Sequence, residues 1–256
     1  MGRPPLKVWF DRQGALLRLC LARPNANIID AAMTEAFDGA LAAHLDHRDL
    51  KAVLIDHEGP NFSFGASVQE HLPARCARML ERLHGLIGRM VQSPVPILVA
   101  VRGQCLGGGL ELAAAGDLIF AAPDARLGQP EIKLAVFAPG ASCLLPERVG
   151  QARAMDMLLS GRSLGAEEAA AIGLVTAVAA DPEAAALEYF DEHLAPLSAS
   201  SLRFATAAAR RGYAERVRAK LKEVEEMYLE GLMNTRDAVA GLEAFIEKRP
   251  AIWENR

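Results

Sequence analysis

The chain has 256 residues, 51% hydrophobic and 23% charged, proportions that exclude a disordered, collagen-like or coiled-coil protein. Its 28 Lys+Arg against 32 Asp+Glu give a net charge of −4, without the basic footprint of a general nucleic-acid binder. The start, MGRPPLKVWFDRQG, does not read as a signal peptide, and no run of 18 apolar residues predicts a transmembrane helix. A cytoplasmic protein that binds neither nucleic acid nor membrane is therefore expected. Cys20, Cys76, Cys105 and Cys143 are widely spaced and predict reduced thiols.

In chain order, Leu16 to Leu21, Ala52 to Ile55, Ile97 to Val101 and Leu118 to Ala122 read as strands. Several lack polar alternation, as strands covered on both faces do. Between the second and third, Leu80, Leu83, Ile87 and Met90/Val91 step by three and four, predicting a helix with one apolar stripe. The alternation predicts an α/β core with mainly parallel pairing. After about residue 150, Ala-rich helices take over at Ala152 to Leu159, Ala166 to Ile172 and Pro182 to Leu194. Ser198 to Ser201 reads as a joint with a helix cap. Val217, Leu221, Val224, Tyr228 and Leu232 then form one helical face, and Val239, Leu242 and Ile246 another. Such faces either fold back on the core or meet another subunit. The division expected is a core over 1–197 and a helical region over 198–256.

Three segments are placed for chemistry. In Val99 to Asp117, a buried strand runs into Gly103 and the triplet Gly107, Gly108 and Gly109, and a helix follows. First-turn N–H groups lack internal partners at the helix's positive end, a good place to stabilise an oxygen that gains charge. Glu111 in that turn either complements the helix dipole or acts as a general base. No Walker lysine motif and no full GxGxxG are present, which lowers a nucleotide reading. In Asp56 to Pro73, Phe64-Gly65-Ala66-Ser67 could present the Ala66 N–H, or be an ordinary strand-to-helix loop. In Asp124 to Pro146, Glu131 follows Gln129 and Pro130. It is a surface carboxylate at a helix start, or, if buried near Leu134, Val136 and Phe137, an acid of raised pKa.

Together these segments resemble the crotonase (enoyl-CoA hydratase/isomerase) superfamily over nearly the whole chain. The resemblance begins at Arg23-Pro24-Asn25-Ala26 and runs through the Gly65-Ala66 loop, the triple glycine with Glu111, and Gly128-Gln129-Pro130-Glu131. It continues in Ser160-Gly161-Arg162, AAAIGLV at Ala169 to Val175, and Asp237 to Lys248. It implies a spiral of ββα units with a helical C-terminal trimerisation region. It further implies an acyl-CoA thioester substrate, and a homotrimer or homohexamer. The Ala66 and Gly108 N–H groups would form an oxyanion hole, with Glu111 and Glu131 as the two catalytic acids. Arg23, Ala26, Gly65, Ser67, Val68, Gly107 and Lys248 are the further candidates for binding CoA or substrate.

Two departures stand out: Ser67 where the family commonly has Asp, and Pro139-Gly140-Ala141-Ser142-Cys143-Leu144 where it commonly reads Pro-Gly-Ala-Gly-Gly-Thr. The second places larger residues near the acyl pocket and argues against a generalist for straight chains. Within the family, NFSFGASVQEHLP and GQPEIKLAVFAPGASCLLPERVG are most similar to a branch that hydrates a cyclic dienoyl-CoA in anaerobic degradation of aromatic acids. The alternatives are a straight-chain enoyl-CoA hydratase, an enoyl-CoA isomerase, or a non-catalytic assembly protein. No metal or redox cofactor is expected, coenzyme A being part of the substrate. His44 and His47, one turn apart, read as a solvated helix end rather than a metal pair. His57, His71, His84 and His193 are scattered and take no catalytic role. Cys105 and Cys143 read as packing residues. Arg210-Arg211 and Arg216-Val217-Arg218 read as a solvated helix face.

Overall fold

The computed structural model describes residues 4–256. Strand β1 (Leu6–Asp11) leads into β2 (Leu16–Leu21), helix α1 (Ala31–His44) and β3 (Ala52–His57). Helix α2 (Cys76–Val91) follows, then β4 (Ile97–Val101), β5 (Gln104–Leu106), α3 (Gly108–Ala115), β6 (Leu118–Ala121) and β7 (Arg126–Gly128). A main sheet runs β1-β2-β3-β4-β6, closed by β9 (Ala177–Val178), and a small second sheet runs β5-β7-β8, with β8 at Ser163–Gly165. From β2 onward the main sheet is parallel, as the alternation of strands and helices predicts. Strands β2 and β4 are buried along their whole length and almost wholly apolar, the one charge, Arg18, being paired with Asp56 of β3.

The two sheets explain how a strand pair precedes each site helix. Strand β4 lies in the main sheet, β5 crosses to the small one, and α3 follows. Strands β6 and β7 repeat the step, ending in a 3-10 turn at Pro130–Leu134 and helix α4 (Pro139–Val149). The predicted stripe on α2 is buried throughout, and Met79 and Leu86 beside it are buried as well. β1 has no counterpart in the sequence reading. Only Leu6 of its six residues is buried, and it pairs antiparallel to β2 at the sheet's edge.

Helices α5 (Gln151–Ser160), α6 (Ala166–Ala171) and α7 (Pro182–Tyr189) match the Ala-rich segments, α7 continuing as a wider turn to Leu194. Ser198 caps α8 (Ala199–Arg210) by accepting from Ser201 N–H at 3.5 Å, and α9 (Tyr213–Glu226) and α10 (Arg236–Ile246) complete the chain. The open choice for the helical tail resolves within one chain. Val217, Leu221, Val224, Tyr228 and Leu242 join the same buried cluster as β2, β3 and α2.

One expectation about the tail fails. Arg210 is buried, not solvated: its guanidinium pairs with Asp117 and donates to the Ser93 carbonyl, tying α8 to the loops that lead into β6 and β4. An unpaired charge there would be costly, and the partners offset that cost. Among the described residues no helix is long and apolar enough to cross a membrane.

Candidate active site

A cavity of about 670 Å³ is walled by the Phe64–Gln69 loop, α2, the start of α3, the turn holding Glu131 and residues of α10. Gly65, Ala66, Ser67, Val68, Gly107, Gly108, Glu111 and Glu131 all line it; Arg23, Ala26 and Lys248 do not. Arg23 is instead paired with Asp30, the N-cap of α1. The Ala26 carbonyl accepts from Phe64 N–H at 2.9 Å, holding the loop that carries Ala66. Lys248 is exposed just beyond α10.

Gly108 and Ala66 line this cavity, and among the described residues neither backbone N–H has an acceptor. Gly107, at φ 54° and ψ −129°, turns the chain into α3, a conformation a side chain resists. A Cβ on it would also lie 2.6 Å from Glu131 Oε1. Gly108 opens the helix, so its N–H has no acceptor one turn back. Ala66 lies opposite Ile29 in an isolated parallel bridge. There Ile29 N–H donates to the Gly65 carbonyl and Ser67 N–H to the Ile29 carbonyl, which leaves the Ala66 N–H unused. A Cβ on Gly108 would stand only 3.0 Å from the Ala66 nitrogen, so the two donors are neighbours. Gly65, at φ 104°, permits this approach, for a Cβ there would meet the Leu106 carbonyl at 2.9 Å.

The two acids reach the cavity from different elements. Glu111 is buried in the first turn of α3 and its Oε1 accepts from the Ala141 N–H, at the start of α4, at 2.8 Å. Gly140 lets α4 come this close, since a Cβ there would lie 2.9 Å from the same oxygen. Burial raises the pKa of Glu111, while the Ala141 N–H and the neighbouring Gly140 N–H favour its ionised form. Glu131 sits in the turn that starts at Pro130. Burial first, and the charge of Glu111 second, push its pKa up to about 8. Glu131 therefore keeps its proton at neutral pH, while the backbone donors favour the charged form of Glu111.

Sequence reasoning missed two partners of these acids. The buried Gln129 amide lies 3.0 Å from both Glu131 oxygens. Turned with its NH2 toward them it donates to a carboxylate. Turned the other way, it accepts from a protonated carboxyl and its NH2 reaches the Gly107 carbonyl at 3.4 Å. Ala141 was the other, and it corrects the reading of the Pro139–Leu144 departure. Pro139 lines the cavity, but Ala141, Ser142, Cys143 and Leu144 do not. Cys143 and Leu144 pack into the core, Ser142 Oγ donates to the Ala138 carbonyl at 2.8 Å, and only backbone of this stretch reaches Glu111. The larger side chains point away because a helix whose first-turn N–H groups face the acid turns its side chains outward.

The remaining wall is apolar: Leu80 and Leu83 of α2, Val136, Phe137, and Leu242 and Phe245 of α10. Cys105 and Cys143 are free and buried, with burial pushing the Cys143 thiol up to about 12, which fits packing residues. His44 and His47 both rest against the Phe10 ring. Among the described residues no group of three His, Cys, Asp or Glu side chains is placed to hold a metal ion.

Comparison with known proteins places the chain in a family. The family model described as enoyl-CoA hydratase/isomerase matches residues 11–256. A cyclohexa-1,5-dienecarbonyl-CoA hydratase from Thauera aromatica is 66% identical over 252 residues, covering 98% of each chain. A probable enoyl-CoA hydratase from Rhizobium meliloti (strain 1021) is 32% identical, covering 96% of this chain and 97% of its own. The crystal structure of an enoyl-CoA hydratase/isomerase from Pseudoalteromonas atlantica T6c superposes with a TM-score of 0.84 at 28% identity, covering 97% of this chain and 99% of that one. With its ββα repeats, its paired glutamates and a match spanning nearly every residue, the chain belongs to the enoyl-CoA hydratase/isomerase family.

Proposed function

We propose that this protein adds water to cyclohexa-1,5-diene-1-carbonyl-CoA, giving 6-hydroxycyclohex-1-ene-1-carbonyl-CoA in anaerobic benzoyl-CoA degradation. The observation that carries the chemistry is the meeting of two unpaired N–H groups and two carboxyls on one apolar cavity. The 66% identity to a cyclohexa-1,5-dienecarbonyl-CoA hydratase supports the substrate.

The thioester carbonyl makes the ring's β carbon electrophilic. As water adds there, an electron pair moves through the ring to the carbonyl oxygen, where the Ala66 and Gly108 N–H groups stabilise the enolate. Donors of this kind contribute about 3 kcal/mol each. Glu111, ionised, takes the proton that water loses. The second alkene extends the enolate, so Glu131, protonated, delivers its proton to the γ carbon across the ring. One alkene remains conjugated with the thioester, and the outcome is a 1,4-addition. Protons move and no electrons are exchanged with a cofactor, so neither metal nor redox group is required. A cytoplasmic assembly of three or six copies belongs to the same proposal, supported by the exposed apolar Phe204, Phe245 and Ile252 of the helical tail.

A substrate panel tests this reading. The cyclic dienoyl-CoA should be hydrated with the larger kcat/KM and crotonyl-CoA poorly. A preference for crotonyl-CoA would assign a straight-chain hydratase instead, and no turnover on any acyl-CoA would remove the enzyme reading altogether.

A further inference from the structure

One histidine that the sequence left without a role lies in the wall of the acyl cavity. His71 ends the 3-10 turn Val68–His71 that follows the loop bearing Ala66, and it lines the cavity. Its Nδ1 lies 2.8 Å from the Ser67 carbonyl. A carbonyl only accepts, so Nδ1 carries the hydrogen and Nε2 keeps its lone pair. Burial pulls the imidazole below its ordinary pKa, so the ring stays neutral at neutral pH. Nε2 has no protein partner among the described residues, and it is not fully buried, unlike the orphaned Nδ1 of His57 and Nε2 of His84. His71 thus presents a fixed acceptor beside the apolar side chains of Leu80, Leu83 and Leu242.

The chemistry of the ring gives that acceptor a purpose. A dienoyl ring has only carbon and hydrogen and offers no donor. Hydration creates one, the hydroxyl. An acceptor placed here gains nothing from the unhydrated ring and gains a hydrogen bond from the hydrated one. We propose that Nε2 of His71 accepts from the hydroxyl of the hydrated ring, making His71 a specificity-determining residue that distinguishes hydroxylated from unhydroxylated cyclic acyl groups. This rests on the hydratase reading above and adds to it the group that recognises the hydroxyl.

Binding of two ligands that differ only by that hydroxyl tests the assignment. Glu111→Gln protein, in which turnover is blocked, is titrated calorimetrically with 6-hydroxycyclohex-1-ene-1-carbonyl-CoA and with cyclohex-1-ene-1-carbonyl-CoA. Adding His71→Phe should cut the preference for the hydroxylated ring by about tenfold and leave the affinity for the other ring within about threefold. His71→Leu is a second variant with the same expectation should Phe prevent folding, and His71→Gln, which keeps an acceptor, should retain most of the preference. A general loss of packing would weaken both ligands alike and overturn the assignment. So would an unchanged preference in both the Phe and the Leu variants. If the Glu111→Gln protein binds neither ring thioester, the hydratase reading falls as well, and that result is distinct from the other two.

Discussion

Glu111 and Glu131 meet over one cavity but are held by opposite kinds of backbone. Glu111 belongs to α3, in which every residue from Gly108 to Ala115 is buried, and the start of α4 supplies an N–H to its carboxylate. Glu131 belongs to a five-residue 3-10 turn with no fully buried member, ended by Ala135 in a left-handed conformation at φ 56°. Its side-chain neighbour is an amide that serves either protonation state. Burial is the first cause of both raised pKa values, and the charge of Glu111 adds to it at Glu131. Beyond burial, Glu111 receives N–H groups from the start of α4, whereas Glu131 meets the charge of Glu111, a contrast that suits the proposed division into base and acid. Two identical side chains thus acquire two roles from their surroundings.

That contrast is broken most directly at the base. Glu111→Gln should lower kcat by about 10²- to 10⁴-fold with an unchanged circular dichroism spectrum, and near-normal turnover would end the assignment. Gly108→Pro comes next. Proline suits the first helical position, so α3 should persist while its N–H is lost and its added carbon crowds the Ala66 nitrogen at 3.0 Å, and kcat should fall by at least about 10²- to 10³-fold. The acid is sharpened by pH. Glu131 must be protonated to act, so kcat/KM should hold below its pKa of about 8 and fall as pH rises through it. The same limb should be absent from whatever activity Glu131→Gln retains.

The smallest effect is on stability. Glu131 has a folded pKa of about 8 against an ordinary 4.5, so between those values the folded chain binds more protons than the unfolded one. Its contribution to stability therefore declines as pH climbs through that window and is flat above it. Glu131→Gln, which cannot ionise, should raise Tm more at about pH 9 than at about pH 6, measured by calorimetry. An equal change at both would place Glu131 in water rather than against Glu111.

The long buried strands could be read residue by residue. Leu16–Leu21 and Ile97–Val101 have the bounds their apolar runs predict, because a strand covered on both faces is mostly apolar, and the exception, Arg18, is paired with Asp56. β5, β7 and β8 could not, being three residues each and identifiable only through the small sheet they build. The glycines and glutamates of the site were visible as residue types in order. Gln129, Ala141 and His71 were not visible as partners, since each acts through one contact with a residue elsewhere in the chain or the cavity. Arg210 was misread because a charge on a helix face is solvated unless another segment covers it, and Asp117 does.

The sequence by itself determined the alternation of strands and helices, the stripe by which α2 packs, and the family, because apolar period and motif order are properties of the chain. Tertiary structure alone decided which N–H groups lack an acceptor, which carboxyl receives backbone donors and which histidine lines the cavity. Those follow from desolvation and from donors brought across space, such as the 30 residues that separate Glu111 from Ala141, and no local pattern encodes them.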